Sequence, residues 1–337
     1  GLNASLNIGT LGAVVRSYLP DYYGDMQGIN AGLPSDRLLA EWRLGSAPVR
    51  TRAAGLPATL AALRMGKRVA LANKETLVVA GAIVMETARA HGGELVPVDS
   101  EHSAILQCLA GRQPHEVQRL VLTASGGPFR TWPAERIAAA TVSDALKHPT
   151  WQMGSKITID SATLANKALE VIEAHHLFGV PYDRIDVVVH PQSIIHSFVE
   201  FVDGSVLAQM GVPSMELPIL YALTYPERVP DSGVPSFDPV ALGSLSFETV
   251  RYADFPMLQL GIDAGRRGGA APAVFNAANE VAVAHFLAGR LSFSGIAERV
   301  SAALHEFAGA PGASLDELLR ADAAARDHVN AQVGYQH

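Results

Sequence analysis

At 337 residues the chain is longer than one hydrophobic core usually serves, and 48% apolar against 18% charged residues excludes a disordered chain. A net charge of −7 without a basic run excludes the electrostatic footprint of a nucleic-acid or anionic-membrane binder, leaving a small molecule as the expected partner. The single cysteine, Cys108, excludes an internal disulfide or a multi-cysteine metal site, suits a reducing, cytoplasmic setting and itself reads as a small buried hydrophobe.

No stretch has the apolar length of a membrane span, and the N-terminus lacks a secretory pattern. From residue 56 onward short apolar runs alternate with helical periods, which predicts an α/β fold. A helix is expected at 56–65, with Pro57 in its first turn, then a strand at 68–72 and a long helix at 75–91 stopped by Gly92-Gly93. A strand at 94–98 and another at 119–123 follow, the latter running into Ala124-Ser125-Gly126-Gly127-Pro128. Ser161 is expected to N-cap a helix at 162–177, with a strand at 185–189 and a hairpin of 197–202 and 205–210 about Asp203-Gly204. Four prolines between Pro226 and Pro239 mark a linker, and helical spacing returns at 257–265, 273–287, 295–307 and 315–333, the last opened by the capping pair Ser314 and Glu317.

Two constellations carry chemistry. Asp99-Ser100-Glu101 closes a predicted strand, and extended backbone would put both carboxylates on one face, where they can share a hard cation such as Mg²⁺ or Mn²⁺. Taken alone, a D-x-E is more often a solvated loop. The second is the run from Asp160 to Glu170, in which Asn166, Lys167 and Glu170 fall on neighbouring turns of one helical face behind Ser161. Hydroxyl, amide and ammonium donors at a helix start suit a phosphate, although a capped helix with a surface Lys–Glu pair explains the same residues.

Weaker signals are the Ser125-Gly126-Gly127 loop, the 148–154 segment with His148 and Gly154, which reads equally as a lid or as packing, and Asn73-Lys74-Glu75 at a second strand end. His190 and His196 lack the spacing of a zinc pair and read as structural.

In order, these segments resemble the 1-deoxy-D-xylulose 5-phosphate reductoisomerase family. The resemblance runs through Ala70-Leu71-Ala72-Asn73-Lys74-Glu75-Thr76-Leu77, Val98-Asp99-Ser100-Glu101-His102, Ser125-Gly126-Gly127-Pro128-Phe129-Arg130, His148-Pro149 with Trp151 and Met153-Gly154, residues 160–170, and His190-Pro191-Gln192-Ser193. It implies a Mn²⁺, Mg²⁺ or Co²⁺ ion on Asp99, Glu101 and Glu170. It also implies substrate contacts at Lys74, Ser100, Glu101, Ser125, His148, Ser161, Asn166, Lys167 and Glu170, with Lys74 joining the three carboxylates as catalytic. NADPH is implied to touch Asn73, Glu75 and Gly154. The implied reaction is a metal-assisted rearrangement of deoxyxylulose phosphate followed by reduction of the resulting aldehyde, in a homodimer.

The N-terminus departs from that family. Its Gly-rich turn has the pattern G-S-T-G-S-I-G, whereas this chain offers Asn3-Ala4-Ser5-Leu6-Asn7-Ile8-Gly9, and Ala31-Gly32-Leu33-Pro34 lacks the basic residue that follows in the family. Between Gly9 and residue 56 there is room for little more than one βαβ unit of about thirty residues. The expected architecture is therefore a Rossmann-like domain at 1–98, apparently shortened, a catalytic α/β domain at 99–225, a linker at 226–256 and a helical domain at 257–337. Full reductoisomerase activity is the main reading. A cofactor-deficient relative that only binds metal and sugar phosphate, or isomerises without reducing, is the alternative.

Overall fold

The computed structural model describes residues 55–149, 153–230, 233–234 and 238–334, together with the backbone of two strands at 14–19 and 37–41. Those strands, β1 (Val14–Leu19) and β2 (Arg37–Glu41), pair antiparallel. The Gly-rich turn comparison at 3–9 and the 31–34 segment lie outside the described residues.

From residue 55 the apolar periodicities become elements. Helix α1 (Gly55–Arg64) buries Leu56, Leu60 and Leu63, spaced one turn apart, against α2 (Glu75–His91). Between the helices β3 (Arg68–Leu71) lies parallel to β4 (Glu94–Pro97). Gly92 ends α2 at φ 66°, the left-handed stop that the Gly-Gly pair predicts. The parallel register sets Leu71 beside Pro97, so the chain leaves both strands on one side and brings Lys74 and Asp99 together.

Helix α3 (Ser100–Cys108) starts directly after β4, and Asp99 is its N-cap residue. This corrects the expectation of extended backbone at 99–101: Glu101 lies in the first turn of a helix. A mixed sheet follows, in the order β6 (Ile185–Val189), β5 (Val117–Ala124), β7 (Ile195–Phe201), β8 (Val206–Met210). Strand β5 runs parallel to β6 and antiparallel to β7, so the loops after β5 and β6 meet at one edge. The expected hairpin is β7–β8, which closes through Val202-Asp203-Gly204-Ser205.

Two short helices, α4 (Ala134–Ala138) and α5 (Val142–Ala145), lead into α6 (Ser155–Thr163) and α7 (Ala165–Phe178). The single helix expected at 162–177 is thus preceded by another, and Leu164 at φ 63° breaks them apart. Ser161 sits in the last turn of α6, so it caps no helix N-terminus.

After α8 (Glu216–Thr224) and the one-turn α9 (Pro239–Leu242), four helices form a bundle: α10 (Pro256–Arg267), α11 (Ala271–Leu287), α12 (Phe293–Phe307) and α13 (Leu315–Gly334). Ser314 and Glu317 make the reciprocal cap at the start of α13. Helix α11 is buried on nearly every face, packed by α12 and α13 on one side and reaching α2, α6 and α7 on the other. The bundle is thereby continuous with the helices that carry the site. Cys108 is buried, and burial raises its thiol to about 11, so it is a packing residue as expected. Among the described residues no helix is long and apolar enough to cross a membrane.

Candidate active site

A cavity of about 300 Å³ opens where the ends of β3, β4 and β5 meet α3, α6 and α7. Its lining includes Lys74, Asp99, Ser100, Glu101, Ser125, His148, Ser161, Asn166, Lys167 and Glu170, ten residues that the sequence singles out from five separate segments.

One end is a carboxylate cluster. Asp99, Glu101 and Glu170 each offer an oxygen within 4.8 Å of the others. Two lysines interleave them. Lys74 Nζ lies 2.5 Å from Asp99 Oδ2 and 2.9 Å from Glu170 Oε1, and donates to Asn166 Oδ1 at 2.9 Å. Lys167 Nζ lies 2.6 Å from Glu101 Oε1 and also pairs with Glu170. Burial would lower the Lys74 pKa, but Asp99 and Glu170 outweigh it and hold the ammonium well above its ordinary range. Burial works against the Lys167 cation too, and is overcome by Glu101 and then Glu170. On Asp99 the burial that would raise its pKa loses to Lys74 and His102, so it stays ionised. Glu101 goes the other way: burial, then the facing Glu170 carboxylate, push it up to about 8.

The other end is a cradle of neutral donors. His148 Nε2 sits between two hydroxyls, 3.1 Å from Ser125 Oγ and 3.0 Å from Ser161 Oγ. Burial lowers the His148 pKa and favours the neutral imidazole. The Ser125 hydroxyl is itself fixed by the Gly127 amide, which donates to it at 3.2 Å. Gly127 adopts φ 66°, and a Cβ there would stand 2.7 Å from the Ser161 carbonyl oxygen. The loop after β5 can therefore approach the end of α6 only with glycine at 127. We expect Gly127→Ala to cost roughly 1–3 kcal/mol, read as a shift in the urea midpoint at unchanged slope, and no shift would refute the close approach.

Three expected cofactor residues stand apart. Asn73, Glu75 and Gly154 are not among the lining residues. Asn73 Oδ1 accepts from both the amide and the hydroxyl of Thr76, and its Nδ2 donates to Glu75, so the side chain closes the first turn of α2. Gly154 is the N-cap residue of α6. The wall on this side is instead Ala72, Met153 and Ile157. Of the suggested lid, residues 150–152 lie outside the described residues.

Sequence reasoning gave no role to several neighbours. His196, read as structural, lines the cavity, and burial lowers it to about 4, so it is neutral there. His190 fits the structural reading, with Nδ1 donating to Ser246 O and Nε2 accepting from the Ile194 amide. Behind the carboxylates, His102 Nε2 donates to the Glu170 carbonyl at 2.9 Å, while its Nδ1 faces Glu173 at 3.3 Å and Asp99 at 4.0 Å. Burial first of all raises Glu173 to about 7. The i,i+3 spacing of Glu170 and Glu173 was the available signal, but nothing in the sequence says that both sides of that helix are covered.

Models of the reductoisomerase family match three stretches of the chain: the 1-deoxy-D-xylulose 5-phosphate reductoisomerase model at residues 50–81, that enzyme's C-terminal domain at 95–178, and the DXP reductoisomerase C-terminal domain at 210–328. The chain is 58% identical over 276 residues to the 1-deoxy-D-xylulose 5-phosphate reductoisomerase of Pelotomaculum thermopropionicum, covering 81% of this chain and 70% of the relative. It is 55% identical over 284 residues to that of Chloroherpeton thalassium, covering 84% and 73%. The solved reductoisomerase of Zymomonas mobilis, in complex with NADPH, is 47% identical with a TM-score of 0.78, over 83% of this chain and 72% of that one. A second solved reductoisomerase, with NADPH, fosmidomycin and magnesium, is 42% identical with a TM-score of 0.79, over 84% and 74%. Likeness of this extent spans both ends of the cavity and the bundle behind it, and the chain belongs to the 1-deoxy-D-xylulose 5-phosphate reductoisomerase family.

Proposed function

We propose that the chain converts 1-deoxy-D-xylulose 5-phosphate to 2-C-methyl-D-erythritol 4-phosphate, a step of the non-mevalonate isoprenoid route, with a divalent metal ion and NADPH. The observation that carries this reading is the joining, in one cavity, of an all-oxygen carboxylate cluster to a neutral hydroxyl and imidazole cradle.

The donor set fits a hard cation. Asp99, Glu101 and Glu170 supply carboxylate oxygens only, and burial together with the facing Glu170 carboxylate raises Glu101 despite Lys167 beside it. The cavity's Ala72, Met153 and Ile157 wall fits a flat nicotinamide ring. When bound, the ion acts as a Lewis acid toward the substrate's carbonyl and hydroxyl oxygens, and NADPH supplies the hydride.

The chain's own groups do the rest. Ser125, Ser161 and His148 grip the phosphate with Asn166 and Lys167, and this remote binding energy places the reacting carbons. Lys74, kept protonated by Asp99 and Glu170, holds their oxygens on the cavity side and offers a proton donor to developing oxyanion charge. Ser100 donates to Glu101 at 2.6 Å and fixes its rotamer. Asn73, Glu75 and Gly154 serve the cofactor from outside the cavity wall by shaping the starts of α2 and α6. Reduction of the branched aldehyde within the same cleft keeps it from water.

The test is consumption of NADPH by the purified chain with deoxyxylulose phosphate, with and without Mg²⁺ or Mn²⁺, and identification of the product by nuclear magnetic resonance. Substrate- and metal-dependent oxidation is expected. Metal-dependent binding of substrate without any oxidation would sink the reductase half.

We also infer a homodimer in a cytoplasmic setting. Among the described residues strand β8 bonds to β7 alone, and its Val206 and Leu207 are exposed on an apolar edge of the kind that proteins cover. A second copy pairing there would explain it. Leu207→Lys is expected to give a monomer by sedimentation, and an unchanged dimer would place the interface elsewhere.

A further inference from the structure

A second polar cluster lies where α6, α2 and α11 meet, and apart from Glu75 at its margin the chemistry above leaves it unused. Asp160 is 1% exposed. Its Oδ2 lies 2.5 Å from Lys156 Nζ, one turn earlier on α6, and its Oδ1 accepts at 2.9 Å from Asn279 Nδ2 on α11. Lys156 also stands 3.8 Å from Glu75 at the start of α2. Burial works against the Lys156 cation, but Asp160 and then Glu75 keep it protonated. Asn279 is fully buried. Beside it Asn276 donates to Glu280, and Glu280 pairs with Arg326 of α13 at 3.0 Å.

Buried ion pairs are weak contributors to stability, because desolvation offsets the attraction, but they are strict about geometry. A turn or slide of α6 against the bundle would carry Lys156 along but part the Asp160 carboxylate from Asn279, leaving a buried oxygen unpaired. Residue 161 follows on the same helix, roughly 100° round the axis, and Ser161 there faces the cavity along with Ile157. The register of Asp160 therefore sets the direction of the Ser161 hydroxyl.

We propose that Asp160 is a positioning residue for the phosphate site, clamped between Asn279 of the C-terminal bundle and Lys156, so that the bundle holds Ser161 in place for the substrate. This rests on the assignment of the cavity to a sugar phosphate.

The test is equilibrium binding of deoxyxylulose 5-phosphate, without NADPH, by the full chain loaded with Mn²⁺. Asp160→Asn and Asn279→Ala should each weaken it roughly tenfold, and their combination should be no worse than the weaker single variant, as expected for one shared contact. Mn²⁺ affinity should stay within about twofold, since the carboxylate cluster is on other elements. Lys156→Met, whose side chain is partly exposed, tests the clamp should the buried variants fail to fold, and should weaken the sugar phosphate in the same direction. Unchanged sugar-phosphate binding with only a lower thermal midpoint would overturn the proposal, as would a parallel loss of Mn²⁺. A wild-type chain that binds Mn²⁺ but no deoxyxylulose phosphate would overturn the functional reading itself.

Discussion

Glu170→Gln is expected to lower kcat/KM for deoxyxylulose phosphate by about a thousandfold or more and to weaken Mn²⁺ binding in step. The residue is 1% exposed, and its two oxygens are divided between Lys74 with Asn166 on one and Lys167 on the other. The amide keeps the shape but removes a full negative charge from the metal-ligand set. Lewis-acid assistance is worth several kcal/mol, and each 1.36 kcal/mol is tenfold in rate, which sets the size of the expected loss. The two lysines retain Asp99 and Glu101 as partners, so the fold should survive while the cavity carries excess positive charge. Steady-state kinetics with calorimetric Mn²⁺ titration provides the check. Glu86→Gln, on the exposed face of α2 and paired with Arg89, serves as the control and should leave both quantities unchanged. A Glu170→Gln protein within tenfold of wild type would remove Glu170 from the proposed ligands.

That prediction was within reach of the sequence, because Asn166, Lys167 and Glu170 fall on one helical face at any register of the helix. What the sequence misjudged was the segment in front of them. Residues 155–163 have helical spacing too, and Leu164 gives no sign of the left-handed backbone that separates α6 from α7. A single Ser before an apolar period looks like an N-cap, yet Ser161 falls in the last turn of α6, where the loop at Gly127 approaches its carbonyl. Asp99 and Glu101 show the same limit. Extended backbone would put both carboxylates on one face, but a strand end turning straight into a helix brings them together by a different route. The Asp160–Asn279 contact joins residues 119 positions apart and leaves no local trace. Buried Asn and Glu on a helix as apolar as α11 mark such contacts, since polar groups there need partners.

The metal should bind more tightly as pH rises toward about 8, and the reason is the proton on Glu101. Without an ion, burial and the Glu170 carboxylate keep Glu101 largely protonated at neutral pH, while Asp99 is already ionised beside Lys74. An ion that takes Glu101 as a ligand displaces that proton, so apparent Mn²⁺ affinity should rise by up to about tenfold per pH unit below the Glu101 pKa and level off above it. The same proton has a stability consequence of definite sign. The folded-state value lies above the ordinary 4.5, so in the metal-free protein the Glu101 contribution to the fold is fully present below about 4.5 and is lost progressively as pH rises to about 8. A bound metal ion would offset the loss by adding positive charge beside the buried carboxylates. The rise in thermal midpoint on adding Mn²⁺ should accordingly be larger at about pH 8.5 than at about pH 6, and calorimetric titrations in buffers of different ionisation enthalpy should register release of up to about one proton at the lower pH. An affinity that is flat or falls over this range would mean that Glu101 is already ionised in the metal-free site. In that case Lys167, 2.6 Å away, would outweigh both burial and Glu170, and the ion would have to displace an ammonium group rather than a proton.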